Sequence, residues 1–279
     1  MFDTKKKFLS SQFGKVHKIP NGRYWISPDC KTDAADFHTL LTYDFDKPLP
    51  DCIKTIFKGK LNQRIRVMRF QANGDSYVAK IFRPYRLRNL IRNHIIHKRY
   101  TFTEMKNTFQ AAKLDISVPR VYAYFEQTIF GLVRQSGIIL QDIHDHTPLK
   151  ELLISGKRTI SDCLPVYKEL FHKGVYYMDS NTKNLMLRQS DNHFTIIDWQ
   201  NSIFYPKINY LQFCYMAAKM FRCAKVTPES DQGQSWLKAI HKQCGFTISF
   251  DKMLKTTQKM QGMKIHIASK ITPDMAEFK

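Results

Sequence analysis

Residues 171–200 read FHKGVYYMDSNTKNLMLRQSDNHFTIIDWQ, and their pattern is a geometric statement. The apolar runs 185–187 and 194–197 flank a polar segment, Gln189, Ser190, Asp191, Asn192 and His193, so they predict a β-hairpin. If the turn centres on Asp191, residues whose numbers sum to about 382 lie opposite one another, and Asn184 falls beside Asp198 at the open end. A carboxylate next to a carboxamide oxygen is the hard oxygen environment Mg2+ prefers, with water and phosphate oxygens completing its octahedron. Asp179 sits one tight loop before Asn184. From there it could accept the proton of an attacking hydroxyl, or orient it. The spacing alone favours two capped loops, because Asp and Asn favour turns. The rest of the chain has to decide between the two readings.

Upstream, residues 64–70 and 76–82 are β-rich runs separated by Gln71, Ala72, Asn73, Gly74 and Asp75. Asn73-Gly74 is a strong hairpin signal because both positions tolerate positive φ. The second run, SYVAKIF, embeds Lys80 in an apolar strand, which is costly unless the ammonium finds an anionic partner. A nucleotide phosphate and a helix carboxylate would both serve, as would a solvated strand face. The candidate carboxylate is Glu104. Met105, Phe109, Ala112 and Leu114 give a rough helical stripe after it, which ends before Pro119. Without Lys80 in view, Glu104 would read as a surface glutamate.

The order of these parts resembles the protein kinase-like fold, and more narrowly the bacterial lipopolysaccharide core kinases, which phosphorylate Kdo or heptose of the inner core. EMKNTFQAAKLDISVP, from Glu104 to Pro119, is similar to that family's E-W-x-x-L-x-x-L-x-x-x-G-I-x-V-P helix and turn. FHKGVYYMDSNTKNLML is similar to its L-H-x-x-G-V-x-H-x-D-x-x-x-x-N-x-L-L catalytic loop, and FTIIDWQ to its strand ending in I-D. The resemblance covers residues 64–200, about half of the chain. It implies an α+β, two-lobed fold, with a small β-rich N-terminal lobe over 1–140 and a larger helical C-terminal lobe over 141–279. It further implies ATP and Mg2+ as cofactors. Lys80 would contact nucleotide phosphates with Glu104 as its partner, Asp179 would be the catalytic acid, and Asn184 and Asp198 would hold the metal. GIILQDI, residues 137–143, falls where the strand entering the hinge belongs, so backbone groups of Gln141, Asp142 and Ile143 would meet adenine. Two departures stand out. The position two before Asp179, usually His, is Tyr177, and residues 57–67, FKGKLNQRIRV, hold only Gly59 where a glycine-rich phosphate loop is expected. Lys58, Lys60 and Arg64 could supply charge there instead.

At 279 residues and 43% hydrophobic content the chain can bury a full core. Residues 159–173 predict the first long helix of the second lobe, with Cys163, Tyr167, Leu170 and Phe171 on one face, Pro165 near the first turn and Gly174 as its stop. Residues 209–223 and 235–244 predict further helices, and the polar tail 256–279 predicts partial disorder. Six cysteines show neither C-x-x-C nor metal spacing, so they read as reduced, mostly buried thiols.

The formal charge of +20, from 44 basic and 24 acidic residues, asks for an anionic partner. Its densest stretch runs from Arg83 to Arg99, RPYRLRNLIRNHIIHKR, where leucines and isoleucines interleave with basic residues. That composition suits an anionic membrane surface or a phosphorylated glycolipid such as the lipopolysaccharide core. No recognisable RNA-binding motif accompanies it, so nucleic acid is not the expected partner. No stretch approaches the roughly 18 apolar residues of a membrane span, and the first twenty residues lack an apolar signal core. The expected location is cytoplasmic, peripheral to the inner face of the inner membrane. The leading expectation is thus an ATP-dependent kinase acting on an inner-core sugar hydroxyl. The alternatives are a small-molecule phosphotransferase of the aminoglycoside or choline type, and a pseudokinase binding glycolipid or protein. A basic nucleic-acid binder would make the spacing an accident.

Overall fold

The computed structural model describes residues 2–19, 22–30, 52–58, 65–82, 100–129 and 132–277. The segment around Gly59 and the basic stretch 83–99, both singled out above, lie outside the described residues. The chain divides into two compact units, Met1–Phe109 with Pro119–Ile143, and Gln110–Val118 with His144–Lys279.

The first unit is built on an antiparallel sheet. Among the described residues its strands are β1 (Val16–Ile19), β2 (Gly22–Ile26), β3 (Ile53–Lys58), β4 (Ile65–Ala72), β5 (Asp75–Phe82), β6 (Val121–Ile129) and β7 (Leu132–Gln141), in spatial order β1-β2-β6-β7-β5-β4-β3. β4 and β5 form the hairpin foreseen from Asn73-Gly74, whose φ values are 48° and 82°. Both are left-handed, which is the turn that matches strand twist. Side chains alternate between the two faces. One face gathers Met68, Phe70, Ala79, Ile81, Phe125 and Ile139. The other carries Trp25, Tyr124 and Ile138 against helix α1 (Phe2–Phe13) and helix α2 (Tyr100–Lys113). Lys80 lies between Ala79 and Ile81 in sequence and opposite Ile138 in register, so it projects to the helix-bearing face. Gly137 pairs with Phe125, and a Cβ there would stand 2.1 Å from that ring. The glycine is what lets the aromatic lie across the strand.

The second unit is mainly helical. It holds β8 (His146–Pro148), α3 (Leu149–Ile154), α4 (Leu164–His172), β9 (Val175–Tyr177), β10 (Leu185–Arg188), β11 (His193–Ile196), β12 (Ser202–Phe204), α5 (Tyr210–Ala224), α6 (Asp231–Cys244), α7 (Phe250–Met260) and α8 (Ile265–Ala268). Its core joins Tyr167, Phe213, Phe221 and Trp236 to Tyr176 and Tyr177 from β9 and Leu185 from β10. The whole is α+β, β-rich in its N-terminal region and helical in its C-terminal part, as the sequence implies.

Several expectations shift in detail. The helix foreseen over 159–173 is a 3-10 turn, Ile160–Cys163, followed by α4 from Leu164. Thr159 and Asp162 cap the turn reciprocally, and Pro165, lacking an N–H, fits the first turn of the helix behind it. α6 begins at Asp231 rather than 235, because Ser230 caps it by accepting from the Gly233 N–H. The tail, foreseen as partly disordered, is packed over its described residues to 277. Thr257, Met260, Ala268 and Ile271 are buried, and Asn209 Nδ2 donates to the carbonyls of Thr272, Pro273 and Met275 at 2.9–3.1 Å. Helix α1 was not foreseen at all; Lys5, Leu9 and Phe13 recur at fourfold spacing within a stretch whose basic residues dominate its composition.

Candidate active site

In the first unit, Lys80 and Glu104 meet. Lys80 Nζ lies 2.6 Å from Glu104 Oε2, and both side chains are almost wholly buried. Glu104 reaches the lysine because it sits on the buried stripe of α2 with Thr101 and Thr108, and Thr101 Oγ1 is 2.6 Å from Ser136 Oγ on β7.

The end of β7 leads into Gln141, Asp142 and Ile143. The Gln141 N–H donates to the Arg120 carbonyl at 2.8 Å, so that group is already engaged. Asp142 is tied down through its carboxylate, with Arg69 Nε at 2.7 Å and the Ser76 hydroxyl at 2.6 Å. Sequence reasoning assigned Asp142 only a backbone role. Its side chain staples the exit of β7 to strands β4 and β5, a contact that adjacency in sequence does not reveal.

In the second unit the hairpin register is one residue off the arithmetic. Leu185 pairs with Ile196 and Arg188 with His193, so opposed numbers sum to 381, and the Ile197 N–H donates to the Asn184 carbonyl at 3.0 Å. The reason is a four-residue turn, 189–192, closed by Asn192 at φ 57° and by Asp191, which accepts from the His193 N–H and pairs with Arg188. The direct partner of Asn184 is therefore Ile197, with Asp198 the next residue. Asp198 then adopts φ 64° and ψ 59°, a left-handed conformation that an aspartate tolerates better than most residues, and the chain turns into a 3-10 segment, Trp199–Asn201. A single slipped residue would normally reverse the face a side chain presents. Asp198 lies beyond the ladder in this left-handed conformation, so strand alternation does not set its direction.

The loop before β10 is pinned throughout. Asn184 Nδ2 donates to the Asp179 carbonyl at 3.0 Å, Asn181 Nδ2 donates to Asp179 Oδ1 at 3.0 Å, and the Asn181 N–H donates to the Asp179 carbonyl at 2.7 Å. The Ser180 hydroxyl donates to the Met216 carbonyl on α5, and the Tyr167 hydroxyl on α4 donates to the Ser180 carbonyl, both at 2.9 Å. Upstream, Gly174 at φ 67° lets the chain pass the Tyr205 carbonyl, 2.0 Å from where a Cβ would stand.

Tyr177, the departure from the usual histidine, supplies the brace itself. It is fully buried, and its hydroxyl donates to the Ile197 carbonyl at 2.6 Å, directly before Asp198. Its ring lies 5.1 Å from that of Trp199, directly after Asp198. Burial, reinforced by the charges of Asp198 and Asp179, pushes its pKa well above the usual tyrosine range, so the phenol keeps its proton and remains a donor. Tyr215 on α5 is a core phenol, raised to about 12 by burial and by Asp179.

The donor set fits a hard divalent cation. With Nδ2 of Asn184 committed to the Asp179 carbonyl, its amide oxygen is the end that could meet a cation, and Asp198 follows directly after Ile197, the ladder partner of Asn184. Among the described residues no group of three or more His, Cys, Asp or Glu is placed to hold a metal. Such a cation would thus draw its remaining ligands from water and phosphate. The cysteines are free thiols, and burial pushes those of Cys163 and Cys214 up to about 12.

No family model matches the chain, and no curated protein sequence does. Solved structures do match. That of WaaP in complex with acyl carrier protein aligns with a TM-score of 0.51 at 12% identity, over 77% of this chain and 87% of that one. The fold is kinase-like. Lys80 and Glu104 meet in one unit, and Asp179, Asn184 and Asp198 lie on one loop and hairpin of the other. Among the described residues no helix is long and apolar enough to cross a membrane.

Proposed function

We propose that the chain is an ATP- and Mg2+-dependent kinase that phosphorylates a sugar hydroxyl of the lipopolysaccharide inner core, Kdo or heptose. The observation that carries the reading is the hydrogen-bonded loop in which Asn184 grips the Asp179 carbonyl while Tyr177 fixes the residue before Asp198. That loop coexists in one chain with a buried Lys80–Glu104 ion pair. Mg-ATP would supply the transferable phosphoryl group and much of the charge neutralisation. Asp179 orients the acceptor hydroxyl and receives its proton, and Lys80 steadies phosphate oxygens while Glu104 keeps its ammonium directed. Asn184 and Asp198 hold the cation, and backbone groups of Asp142 and Ile143 meet the adenine edge. Catalysis of this type is positioning and electrostatics, so rigid support of few side chains suffices.

The acceptor class follows from the resemblance in motif and from charge. A site for cationic acceptors such as aminoglycosides or choline calls for excess acid, whereas this chain carries +20. The basic segment 83–99 is proposed to meet the anionic glycolipid at the inner membrane face. The test is phosphate transfer from Mg-ATP to purified core glycolipid. Turnover by the parent protein that is lost in Asp179→Ala supports the proposal. Equal absence of turnover in both, with Mg-ATP binding retained, supports the pseudokinase reading instead.

A further inference from the structure

Glu104 can meet Lys80 only if α2 is held at the right height and roll over the sheet, and helix shifts of about 1–2 Å suffice to make or break such contacts. One edge of α2 is tethered by the Thr101–Ser136 hydrogen bond. The other is covered by α1. Phe8 lies edge-on to both Phe102 and Phe109 at 6.0 Å, and Phe13 lies edge-on to Phe109 at 5.5 Å. α1 is in turn keyed to the sheet by Lys5, which pairs with Glu126, a carboxylate with no exposed surface. Arg23 at 3.1 Å and the Tyr124 hydroxyl at 2.6 Å also engage that carboxylate. Lys5 Nζ also stands 5.1 Å from the ring centroids of Phe102 on α2 and Tyr124 on β6, so one ammonium touches helix and sheet together. Tyr124, Ile138 and Lys80 form one cross-strand row on the helix-bearing face. The lock at Lys5 and the ion pair at Lys80 are thus two ends of the same layer.

We propose that α1 is a positioning element, with Lys5 and Phe8 setting the place of α2 so that Glu104 engages Lys80, and through that pair setting the affinity for nucleotide phosphate. The nucleotide part rests on the reading of Lys80 as a phosphate contact. Lys5 and Phe8 touch no reacting atom in this account; they act through Glu104. An amphipathic helix that merely covered apolar surface would need no cation buried against a wholly enclosed carboxylate. That device fixes register and orientation, at a desolvation cost a greasy contact avoids.

The test has two arms, both on the full chain. In the first, the acylation rate of Lys80 by a lysine-reactive ester is read by peptide mass spectrometry in the parent, Lys5→Met and Phe8→Ala. The expected result is a rise of about fivefold or more at Lys80 in both variants, since release of α2 uncovers the ammonium. Phe8→Leu, which keeps the apolar contact, should return close to the parent rate. Unchanged Lys80 labelling in folded variants whose α1 amides exchange freely would overturn the proposal. In the second arm, Mg-ATP affinity is measured by calorimetry for Phe8→Ala, alone and combined with Glu104→Gln. The proposal predicts about tenfold weaker binding for Phe8→Ala in the parent background and under twofold in the Glu104→Gln background. Equal factors in both would show that α1 does not act through Glu104. If the parent itself binds no Mg-ATP, the kinase reading fails, while the labelling arm still decides the role of α1.

Discussion

At Tyr177 one hydroxyl joins strand β9 to the residue before Asp198. Tyr177→Phe keeps the ring packing against Trp199 but leaves the Ile197 carbonyl without this donor, at a cost of about 1–3 kcal/mol. Urea unfolding should register that loss, and phosphate transfer should fall further than stability alone explains, because Asp198 loses its brace. Gly174 is constrained twice, by φ 67° and by the Tyr205 carbonyl 2.0 Å from a Cβ position. Gly174→Ala should therefore destabilise by more than the roughly 1 kcal/mol of an ordinary Gly-to-Ala strain at positive φ. A drop in thermal midpoint no larger than that of an alanine at exposed Gly245, which also sits at positive φ with open space around it, would contradict this. The sequence singled out Asp179, Asn184 and Asp198 as candidates through their types and spacing. It read Tyr177 as a gap in the pattern, when a longer side chain reaches a carbonyl and braces the loop itself.

At the scale of elements, hairpins were legible where turn chemistry is local. Asn73-Gly74 fixed the β4–β5 register without ambiguity, whereas the polar run 189–193 admitted turns of different length, and the register came out one residue away. Helix α2 was legible from Met105 onward but not its first turn, whose Thr101 and Phe102 derive their meaning from Ser136 and α1. Tertiary contact likewise orders the tail: Asn209, read from sequence as a helix start, also holds three carbonyls of residues 272–275. Asn209→Ala should free that segment, giving faster proteolytic cleavage after residue 260 and a stability loss of about 1–2 kcal/mol from the cap alone. On β7, Gly137→Ala forces the Phe125 ring aside and should cost about 1–3 kcal/mol as an overpacked core. Phe125→Leu introduced with it should recover part of that loss, which thermal unfolding of the two variants would show.

For the whole molecule, the α+β division was legible through the resemblance in motif, and the seven-stranded sheet does lie before residue 142, together with helices α1 and α2. Composition placed an excess of +20 on the chain, and that excess bears on what it meets. Binding to core glycolipid should weaken steeply between about 50 and 300 mM salt, as exposed charges become screened over shorter distances. The most direct test of the central claim remains transfer of labelled γ-phosphate from Mg-ATP to purified inner-core glycolipid, comparing the parent chain with Asp179→Ala and Asp198→Ala. The account predicts one phosphate added to the acceptor by the parent, and loss of about a thousandfold or more in each variant while folding is retained. Transfer undiminished in Asp179→Ala, or no transfer by a parent chain that binds both substrates, would contradict it.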